Sequence, residues 1–288
     1  MGNDSINSAP MVSIGLFVYN GERYLSKALD SLLAQTFKDF ELIISDNAST
    51  DSTETICREY LAKDSRIKYF RQNENIGIFN NFRFVREKGV AGKYFMWAAH
   101  DDLWEKNWLE VLVSDMKPSD FAVRGLAVHI DENAIVIGKT NVSSFKKGQI
   151  LKTFLDDEKN GRGFYWYALF NNQLLQKIDL MSLDSTFGSD TFFISHLVQY
   201  GDLRVVDKTA QYYRQHIQST TKKFSKDWFG LRRYIYHLFP INTYIYTIRI
   251  VNNKYKLLIL LASPIKYIKT QFSHMIKLLR LIFTGSKY

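Results

Sequence analysis

Segments with the apolar pattern of strands alternate with segments of helical spacing over residues 12–99, and this alternation restricts the fold most strongly. Residues 12–18 and 41–45 have the pattern of buried strands, and apolar residues between them recur at helical spacing. Such alternation implies right-handed crossovers and predicts an α/β fold, a mostly parallel sheet covered by helices on both faces. The further predicted elements are a helix over 51–62, a strand over 67–71, a helix over 79–88, a strand ending near 99 and a hairpin over 123–137.

Polar residues follow each of the four predicted strands, at the edge where a parallel sheet binds its ligands. They are Tyr19 and Asn20 after the first strand, Asp46 to Asp51 after the second, Arg71 and Asn75 after the third, and His100 to Asp102 after the fourth. Each loop taken alone is equally typical of turns and helix starts, which use Asn, Asp, Ser and Gly. Their convergence on one edge favours a shared binding site.

Asp101 and Asp102 are adjacent carboxylates at the end of a predicted buried strand. Ionised carboxylates this close repel each other, and a hard metal ion, a basic group or open water usually keeps both charged at neutral pH. One interpretation is therefore a divalent cation site. The alternative is a solvated turn in which Asp102 caps a helix that starts near Glu105.

The composition fits one large domain with an appendage, since 46% of the 288 residues are hydrophobic. The single cysteine, Cys57, excludes an intramolecular disulfide and a cysteine-based metal cluster, which fits a reducing cytosol. Residues 1–10 lack the basic start and apolar centre of a signal peptide. We therefore expect a disordered leader and a location on the cytoplasmic side of the membrane.

Taken in order, these loops resemble the nucleotide-sugar-binding half of the family 2 glycosyltransferases, inverting enzymes with the GT-A fold. The resemblance spans roughly residues 12–219. The matching segments are Val18-Tyr19-Asn20, residues 30–36, residues 40–51, Arg71 with Asn75 and Gly77, and His100-Asp101-Asp102. The resemblance implies a Rossmann-like GT-A sheet and transfer of a sugar from a nucleotide-diphosphate donor, usually a UDP-sugar.

The resemblance also implies a role for each matched residue. The residues implied to line the nucleotide pocket are Phe17, Tyr19, Asn20, Asp46, Arg71, Asn75, His100 and Asp101. Asp46 would accept a hydrogen bond from the base, usually uracil. Asp102 takes the final, metal-ligating place of the family's Asp-x-Asp motif, in which His100 replaces the first aspartate. There it would hold Mn²⁺ or Mg²⁺, a cation that neutralises the leaving diphosphate.

Two later segments resemble the remaining motifs of the family. Residues 187–190 match its Gly-Glu-Asp segment, and Asp190 keeps the place of the catalytic base. Such a base would deprotonate the acceptor hydroxyl as it attacks the anomeric carbon, whereas the alternative is that Asp190 only supports a helix N-terminus. Residues 211–219 resemble the family's Tyr-Arg-x-His segment, in which His216 would complete the metal site and Arg214 would face phosphate.

The C-terminal part of the chain is basic and aromatic. Residues 222–288 contain thirteen Lys or Arg and one acid, Asp227, whereas the rest of the chain is slightly acidic. The longest apolar stretch, residues 257–262, is too short to cross a bilayer. Apolar residues after Pro264 recur at helical spacing beside Lys and Arg, which favours an amphipathic helix on an anionic membrane surface. The alternatives are packing on the domain or in an oligomer, and nucleic-acid binding, which no recognised motif supports.

The sequence thus predicts a leader (1–10), a GT-A domain (11–221) and a membrane-associating helical tail (222–288). Within the domain, the nucleotide-binding half covers about 11–118 and the acceptor half about 119–221. We expect a metal-dependent inverting glycosyltransferase, peripheral on the inner face of the cell membrane. Its acceptor would be a saccharide or polyprenyl-linked saccharide in surface polysaccharide synthesis, and its oligomeric state, including a homo-oligomer, stays open.

Two other classes of protein compete with this reading. The first is a non-catalytic nucleotide-sugar-binding scaffold subunit of a polysaccharide assembly complex, which keeps the fold without turnover. The second is a nucleotidyltransferase. It is disfavoured because the Gly-rich, Lys-containing phosphate loop expected after the first strand is missing.

Overall fold

The computed structural model describes residues 9–155, 162–178 and 189–216, together with residues 256–257, 260–262 and 264. Strands and helices alternate in the N-terminal half as the apolar pattern predicts. The elements of this half are β1 (Val12–Val18), α1 (Leu25–Leu33), β2 (Phe40–Asp46), α2 (Thr53–Lys63), β3 (Ile67–Arg71), α3 (Ile78–Lys88) and β4 (Tyr94–Ala99). Those that follow are β5 (Leu103–Trp104), α4 (Trp108–Asp115), β6 (Asp120–Ile130), β7 (Val136–Thr140), α5 (Ile150–Leu155), a 3₁₀ helix (Arg162–Tyr167), β8 (Leu169–Asn171), α6 (Asn172–Leu175), α7 (Ser189–Leu197) and β9 (Asp202–Arg214).

The described strands form one sheet with the order β3-β2-β1-β4-β8-β6-β9-β5, and β7 pairs with residues 127–130 of β6, beyond the part that pairs with β8. Strands β1 to β4 are parallel to their neighbours within this group. The short strand β8 lies between β4 and β6 and runs antiparallel to both. The α/β prediction with a GT-A type sheet is confirmed, but the sheet is mixed beyond β4, whereas the sequence predicted it to be mostly parallel.

Helices cover both faces of the sheet, which therefore separates two hydrophobic clusters. One cluster contains Phe95 and Trp97 of β4 and lies on the side of α3, α5 and α7. The other contains Met96 and Ala98 and lies on the side of α1, α2 and α4. Successive strand residues point to opposite faces, so burial on both faces requires an unbroken apolar run. This explains the continuous apolar pattern of the strands.

The parallel strands bring the predicted polar loops to one edge of the sheet. Val18 at the end of β1 pairs with Asp46 on β2, and Asp46 pairs with Arg71 on β3. On the other side of β1, Phe17 pairs with Ala99 on β4. The loops that follow β1, β2, β3 and β4 thus lie side by side, as the sequence predicted.

Most of the leader and most of the tail lie outside the described residues, so the domain boundaries at 10 and 221 stay predictions. Of the tail, Ala262 is buried in the cluster on the α3 side, whereas Leu257, Leu260 and Leu261 are exposed. Among the described residues, no helix has the length and apolar character needed to span a membrane.

Candidate functional site

Asp46 is the centre of a hydrogen-bonded cluster at the ends of β2 and β3. It is fully buried, and its Oδ1 atom accepts the backbone N–H of Ser49 over 2.8 Å. Its Oδ2 atom accepts bonds from the hydroxyl of Tyr69 over 2.9 Å and from Nη1 of Arg71 over 2.8 Å. Arg71 also pairs with Glu54 over 3.0 Å. The structure thus brings Asp46 and Arg71 together, as the sequence predicted.

The exposure of the two partners differs. The Asp46 side chain is 0% exposed, whereas that of Arg71 is 33% exposed. Burial, followed by the hydrogen bond and the charge of Asp46, raises the pKa of Tyr69, so its hydroxyl stays a donor. Arg71 is therefore the exposed partner in its bond to Asp46, and Asp46 together with the carbonyl oxygen of Ser49 orients it.

Sequence reasoning missed Tyr69, although a signal for it was present. Tyr69 and Arg71 are two positions apart on strand β3 and therefore point to the same side of the sheet. The alternation of strand residues could therefore have placed Tyr69 on the same side as Arg71.

Asn20 and Asn75, which were also predicted for the nucleotide pocket, lie in the loops around Asp46. Asn20 has a positive φ of 50°, and its Oδ1 atom accepts the backbone N–H of Thr50 over 2.9 Å. Asn75 Oδ1 accepts bonds from Asn47 Nδ2 and from the backbone N–H of Gly77, both over 2.9 Å. These two asparagines hold the loops against each other.

The two aromatic residues of the predicted pocket differ in their surroundings. Phe17 is partly buried and makes an edge contact with Phe82, at 5.4 Å between ring centroids. The ring of Tyr19 is 44% exposed. Tyr19 is thus the aromatic side chain that is free to stack on a flat ligand.

Asp101 and His216 form a second cluster beside the end of β4. Oδ2 of Asp101 lies 2.9 Å from Nε2 of His216, and the two side chains are 18% and 7% exposed. Burial acts to raise the pKa of Asp101, but the hydrogen bond to His216 and the nearby imidazole of His100 outweigh it and lower the pKa. Asp101 is therefore an ionised carboxylate with an imidazole nitrogen next to it.

Asp102 has a different environment from the one expected of a metal ligand. It is fully buried, and its Oδ1 and Oδ2 atoms accept bonds from the backbone N–H of Arg214 over 2.9 Å and from Nε2 of Gln211 over 2.8 Å. Burial and the charge of Asp101 raise its pKa. The alternative of a helix cap does not apply either, because α4 begins at Trp108 after Asn107. Asp102 instead binds strand β9.

Arg214, for which the resemblance implied a phosphate contact, donates hydrogen bonds to backbone carbonyl oxygens. It is fully buried, and Nε donates to the carbonyl oxygen of Asp101 over 2.8 Å. Nη1 donates to the carbonyl oxygens of Asp131 and Glu132 over 2.9 and 3.1 Å. The guanidinium thus binds backbone atoms of two loops.

A divalent cation fits the donor atoms of Asp101 and His216. Carboxylate oxygen and imidazole nitrogen are both ligands of Mn²⁺, and these two atoms already lie side by side. Within the described ranges, no group of three or more His, Cys, Asp or Glu side chains could enclose a metal ion. A cation bound by this pair would complete its coordination with ligand or water oxygens.

Asp190 lies in the first turn of helix α7. Its side chain is outside the described part of the chain, so its role as a base stays a prediction. Phe193, one turn further along α7, is fully buried and stacks on Trp166 with 3.7 Å between the ring centroids and 7° between the ring planes. This stacking fixes the beginning of α7 on the cluster on the α3 side of the sheet.

The sheet and the clusters at its edge define an α/β protein of the GT-A class. The structure of Staphylococcus aureus TarS 1–349 in complex with UDP has the same fold, with a TM-score of 0.56 and 16% identity over 96% of this chain and 92% of that one. The structure of GalNAc-T7 with UDP, GalNAc and Mn²⁺ has a TM-score of 0.59 and 14% identity, and the match covers 81% of this chain and 51% of that one.

The model of the family described as Glycosyl transferase family 2 matches residues 13–179, more than half of the chain. The chain therefore belongs to glycosyl transferase family 2, and both the resemblance and the prediction of a glycosyltransferase are confirmed.

Curated relatives are named glycosyltransferases. An uncharacterized glycosyltransferase of Rickettsia typhi is 38% identical over 112 residues, which are 39% of this chain and 34% of the relative. An uncharacterized glycosyltransferase of Haemophilus influenzae is 24% identical over 233 residues, which are 77% of this chain and 71% of the relative. The match thus spans about a third of the length of the first relative and more than two thirds of the second.

Proposed function

We propose that this protein transfers a sugar, with inversion, from a UDP-sugar to a hydroxyl group of a saccharide acceptor. The observation that carries this proposal is the position of the two clusters at one sheet edge. Strands β2 and β4 lie on either side of β1. The strand that ends at Asp46 and the strand that ends at Ala99 are therefore about 10 Å apart, twice the distance between neighbouring strands. This separation suits a nucleoside diphosphate whose base lies near Arg71 and whose phosphates lie near Asp101.

On the nucleotide side, we assign the contact with the base to Arg71 and the stacking contact to Tyr19. Arg71 is the exposed member of its ion pair, and Asp46 lies beneath it with its carboxylate oxygens bonded to Ser49, Tyr69 and Arg71. A direct bond from the base to Asp46 would require Arg71 or Tyr69 to move. The UDP in the TarS complex supports uridine as the nucleoside.

On the phosphate side, Asp101 and His216 would hold the divalent cation. A bound Mn²⁺ or Mg²⁺ neutralises the diphosphate as it leaves. Asp101 offers an oxygen that hydrogen bonds only to His216 among the described contacts, whereas both oxygens of Asp102 are bound to β9. We therefore assign the metal contact to Asp101 in preference to Asp102, and the Mn²⁺ in the GalNAc-T7 structure supports a cation in this fold.

Asp190 is the residue we assign as the general base. Its carboxylate would take the proton of the acceptor hydroxyl while the oxygen attacks the anomeric carbon and the bond to the nucleotide diphosphate breaks. Attack from the side opposite the leaving group inverts the anomeric configuration. The buried Phe193 holds this end of α7 in place, which a base needs in order to act at a fixed position.

The experiment that tests this function measures binding and turnover separately. The purified chain is screened against a panel of nucleotide sugars for protection against thermal unfolding, and each stabilising donor is then incubated with Mn²⁺ and candidate saccharides. We expect UDP-sugars to raise the melting temperature and one of them to release UDP. Binding without transfer or hydrolysis would favour the scaffold subunit, and the absence of any nucleotide-sugar binding would overturn the proposal.

We also propose that the tail binds the anionic inner face of the cell membrane, and that the acceptor is carried there on a polyprenyl lipid for surface polysaccharide synthesis. The specific observation is that Leu257, Leu260 and Leu261 are exposed within a strongly basic sequence. The full chain should sediment with phosphatidylglycerol vesicles and less with phosphatidylcholine vesicles. A variant with serine at the three leucines that binds vesicles as well as the wild type would contradict this proposal.

A further inference from the structure

The ring of Tyr24, just before α1, is in contact with side chains from two other parts of the site. The guanidinium carbon of Arg214 lies 4.7 Å from the ring centroid, and the imidazole of His216 lies 5.0 Å from it at an angle of 48°. The guanidinium carbon of the neighbouring Arg23 lies 5.0 Å away. Tyr24 is 6% exposed, so this ring is a buried point of contact between the first loop and β9.

The partners of Tyr24 are themselves tied to the loops of the site. Arg214 binds the carbonyl oxygen of Asp101 and those of Asp131 and Glu132, in the turn between β6 and β7. Arg23 forms an ion pair with Glu132 over 2.6 Å. Three loops, which follow β1, β4 and β6, are therefore connected around one aromatic ring.

His216 lacks the hydrogen bond that usually orients a metal-binding histidine. Such a histidine ordinarily donates its second ring N–H to a carboxylate, a carbonyl group or water. Nε2 of His216 faces Asp101, but Nδ1 is buried and has no hydrogen-bond partner within the described ranges. Once Nε2 binds a cation, no hydrogen bond would remain to keep this imidazole in its orientation.

We propose that Tyr24 is the positioning residue of the Asp101–His216 pair, and that its ring replaces the missing hydrogen bond by holding the imidazole through packing. The Tyr24 hydroxyl takes no part, because it is buried without a hydrogen-bond partner among the described residues. Arg214 completes the arrangement by fixing the backbone of Asp101 relative to the same ring. This role rests on the proposed function, in which the pair binds a cation.

The test compares two substitutions at Tyr24 with a matched one elsewhere. Tyr24→Leu removes the ring and Tyr24→Phe keeps it. Tyr94→Leu is the control, because Tyr94 is also buried, at 8% exposure, and has Lys93 Nζ 5.3 Å from its ring centroid, but lies at the start of β4, away from the site. Calorimetry measures the affinity of each full-length variant for UDP alone and for Mn²⁺ in the presence of UDP.

We expect Tyr24→Leu to weaken Mn²⁺ binding roughly 10-fold or more, the loss typical of removing a group that orients a metal ligand. Binding of UDP alone should change little, Tyr24→Phe should retain Mn²⁺ binding, and Tyr94→Leu should lower only the melting temperature. Unchanged Mn²⁺ affinity in Tyr24→Leu, or an equal loss in Tyr94→Leu, would overturn the positioning role.

A second readout separates this inference from the proposed function. If the wild type binds UDP but no Mn²⁺, the cation part of the proposed function fails, and the imidazole ¹⁵N signals of His216 then test Tyr24 directly. These signals, assigned with His216→Gln, should shift or broaden in Tyr24→Leu and stay as in the wild type in Tyr94→Leu. Identical His216 signals in Tyr24→Leu and the wild type would refute the inference.

Discussion

Arg214 donates its backbone N–H to Oδ1 of Asp102 over 2.9 Å, so the second of two adjacent carboxylates faces strand β9. The first carboxylate, that of Asp101, is hydrogen bonded to the imidazole of His216. The opposite pKa shifts of the two aspartates agree with this division, because the pKa of Asp101 is lowered and that of Asp102 is raised. The two neighbours therefore have separate contacts: Asp102 binds strand β9, and Asp101 is left for the metal contact that we propose.

Asp101→Asn should remove metal-supported turnover with little effect on folding. The amide is a weaker cation ligand than the carboxylate it replaces, and we expect the rate at a fixed Mn²⁺ concentration to fall roughly 100-fold. The measurement is a Mn²⁺ titration of UDP release, with the melting temperature recorded in parallel. Asp207→Asn, at an exposed position of β9, is the control and should titrate like the wild type. A normal titration of Asp101→Asn would contradict the assignment.

Asp102→Ala should act on stability. The substitution leaves the N–H of Arg214 and the amide of Gln211 buried without their acceptor, which costs about 3 kcal/mol of unfolding free energy. Urea unfolding measures this loss. Asp102→Asn keeps one acceptor oxygen and should lose less. If both variants are as stable as the wild type, the carboxylate does not hold β9.

The sequence predicted the N-terminal half of the fold well, because strands β1, β2 and β4 are buried on both faces and helices separate the first four strands. The predicted strand over 41–45 is Phe40–Asp46, and the predicted helix over 79–88 is Ile78–Lys88. The mixed sheet was not predictable in the same way. Strand β8 has three residues, too few to show a period, and it is the element that reverses the strand direction beside β4.

The role of each carboxylate depends on a long-range partner that spacing does not reveal. The motif placed Asp101 and Asp102 correctly at the end of β4, but the choice between them follows from Gln211 and Arg214, more than a hundred residues further along the chain. Tyr24 shares the helical spacing of the apolar residues of α1, but that spacing predicts only a buried position. Its role depends on contacts with β9 that only the folded chain creates.

Substitutions around Asp46 should show that the base is bound through Arg71. Arg71→Ala removes the exposed cation and Asp46→Ala removes the carboxylate that orients it, so we expect both to weaken UDP binding roughly 10-fold. Tyr69→Phe removes one neutral donor to Asp46 and should change the affinity less than about 3-fold. Calorimetric titration with UDP measures all three. A large loss confined to Tyr69→Phe would contradict this order.

The stability of the acceptor half should depend on pH through Asp202. Burial acts to raise the pKa of Asp202, but the backbone N–H of Lys147 and the ammonium group of Lys146 outweigh it and lower the pKa. A carboxyl group with a lowered folded-state pKa stabilises the fold above its unfolded pKa of about 3.9, and this stabilisation is lost as the pH falls through the folded-state value.

Asp202→Asn should therefore lose less unfolding free energy than the wild type when the pH is lowered from about 5 to about 3. Urea unfolding at several pH values measures the two slopes. Asp39→Asn, at an exposed position, should keep the slope of the wild type. Equal slopes for Asp202→Asn and the wild type would show that the contacts of Asp202 with Lys146 and Lys147 do not hold its pKa down.

Asp190→Asn should separate chemistry from donor binding. The amide cannot take a proton from the acceptor hydroxyl, so we expect kcat to fall ~10²-fold or more while the affinity for the UDP-sugar stays nearly unchanged. The measurement pairs steady-state transfer with calorimetric donor binding, and Asp39→Asn serves as the matched control. Turnover close to that of the wild type would remove Asp190 from the mechanism. A parallel loss of donor binding would instead indicate that Asp190 only stabilises the beginning of α7.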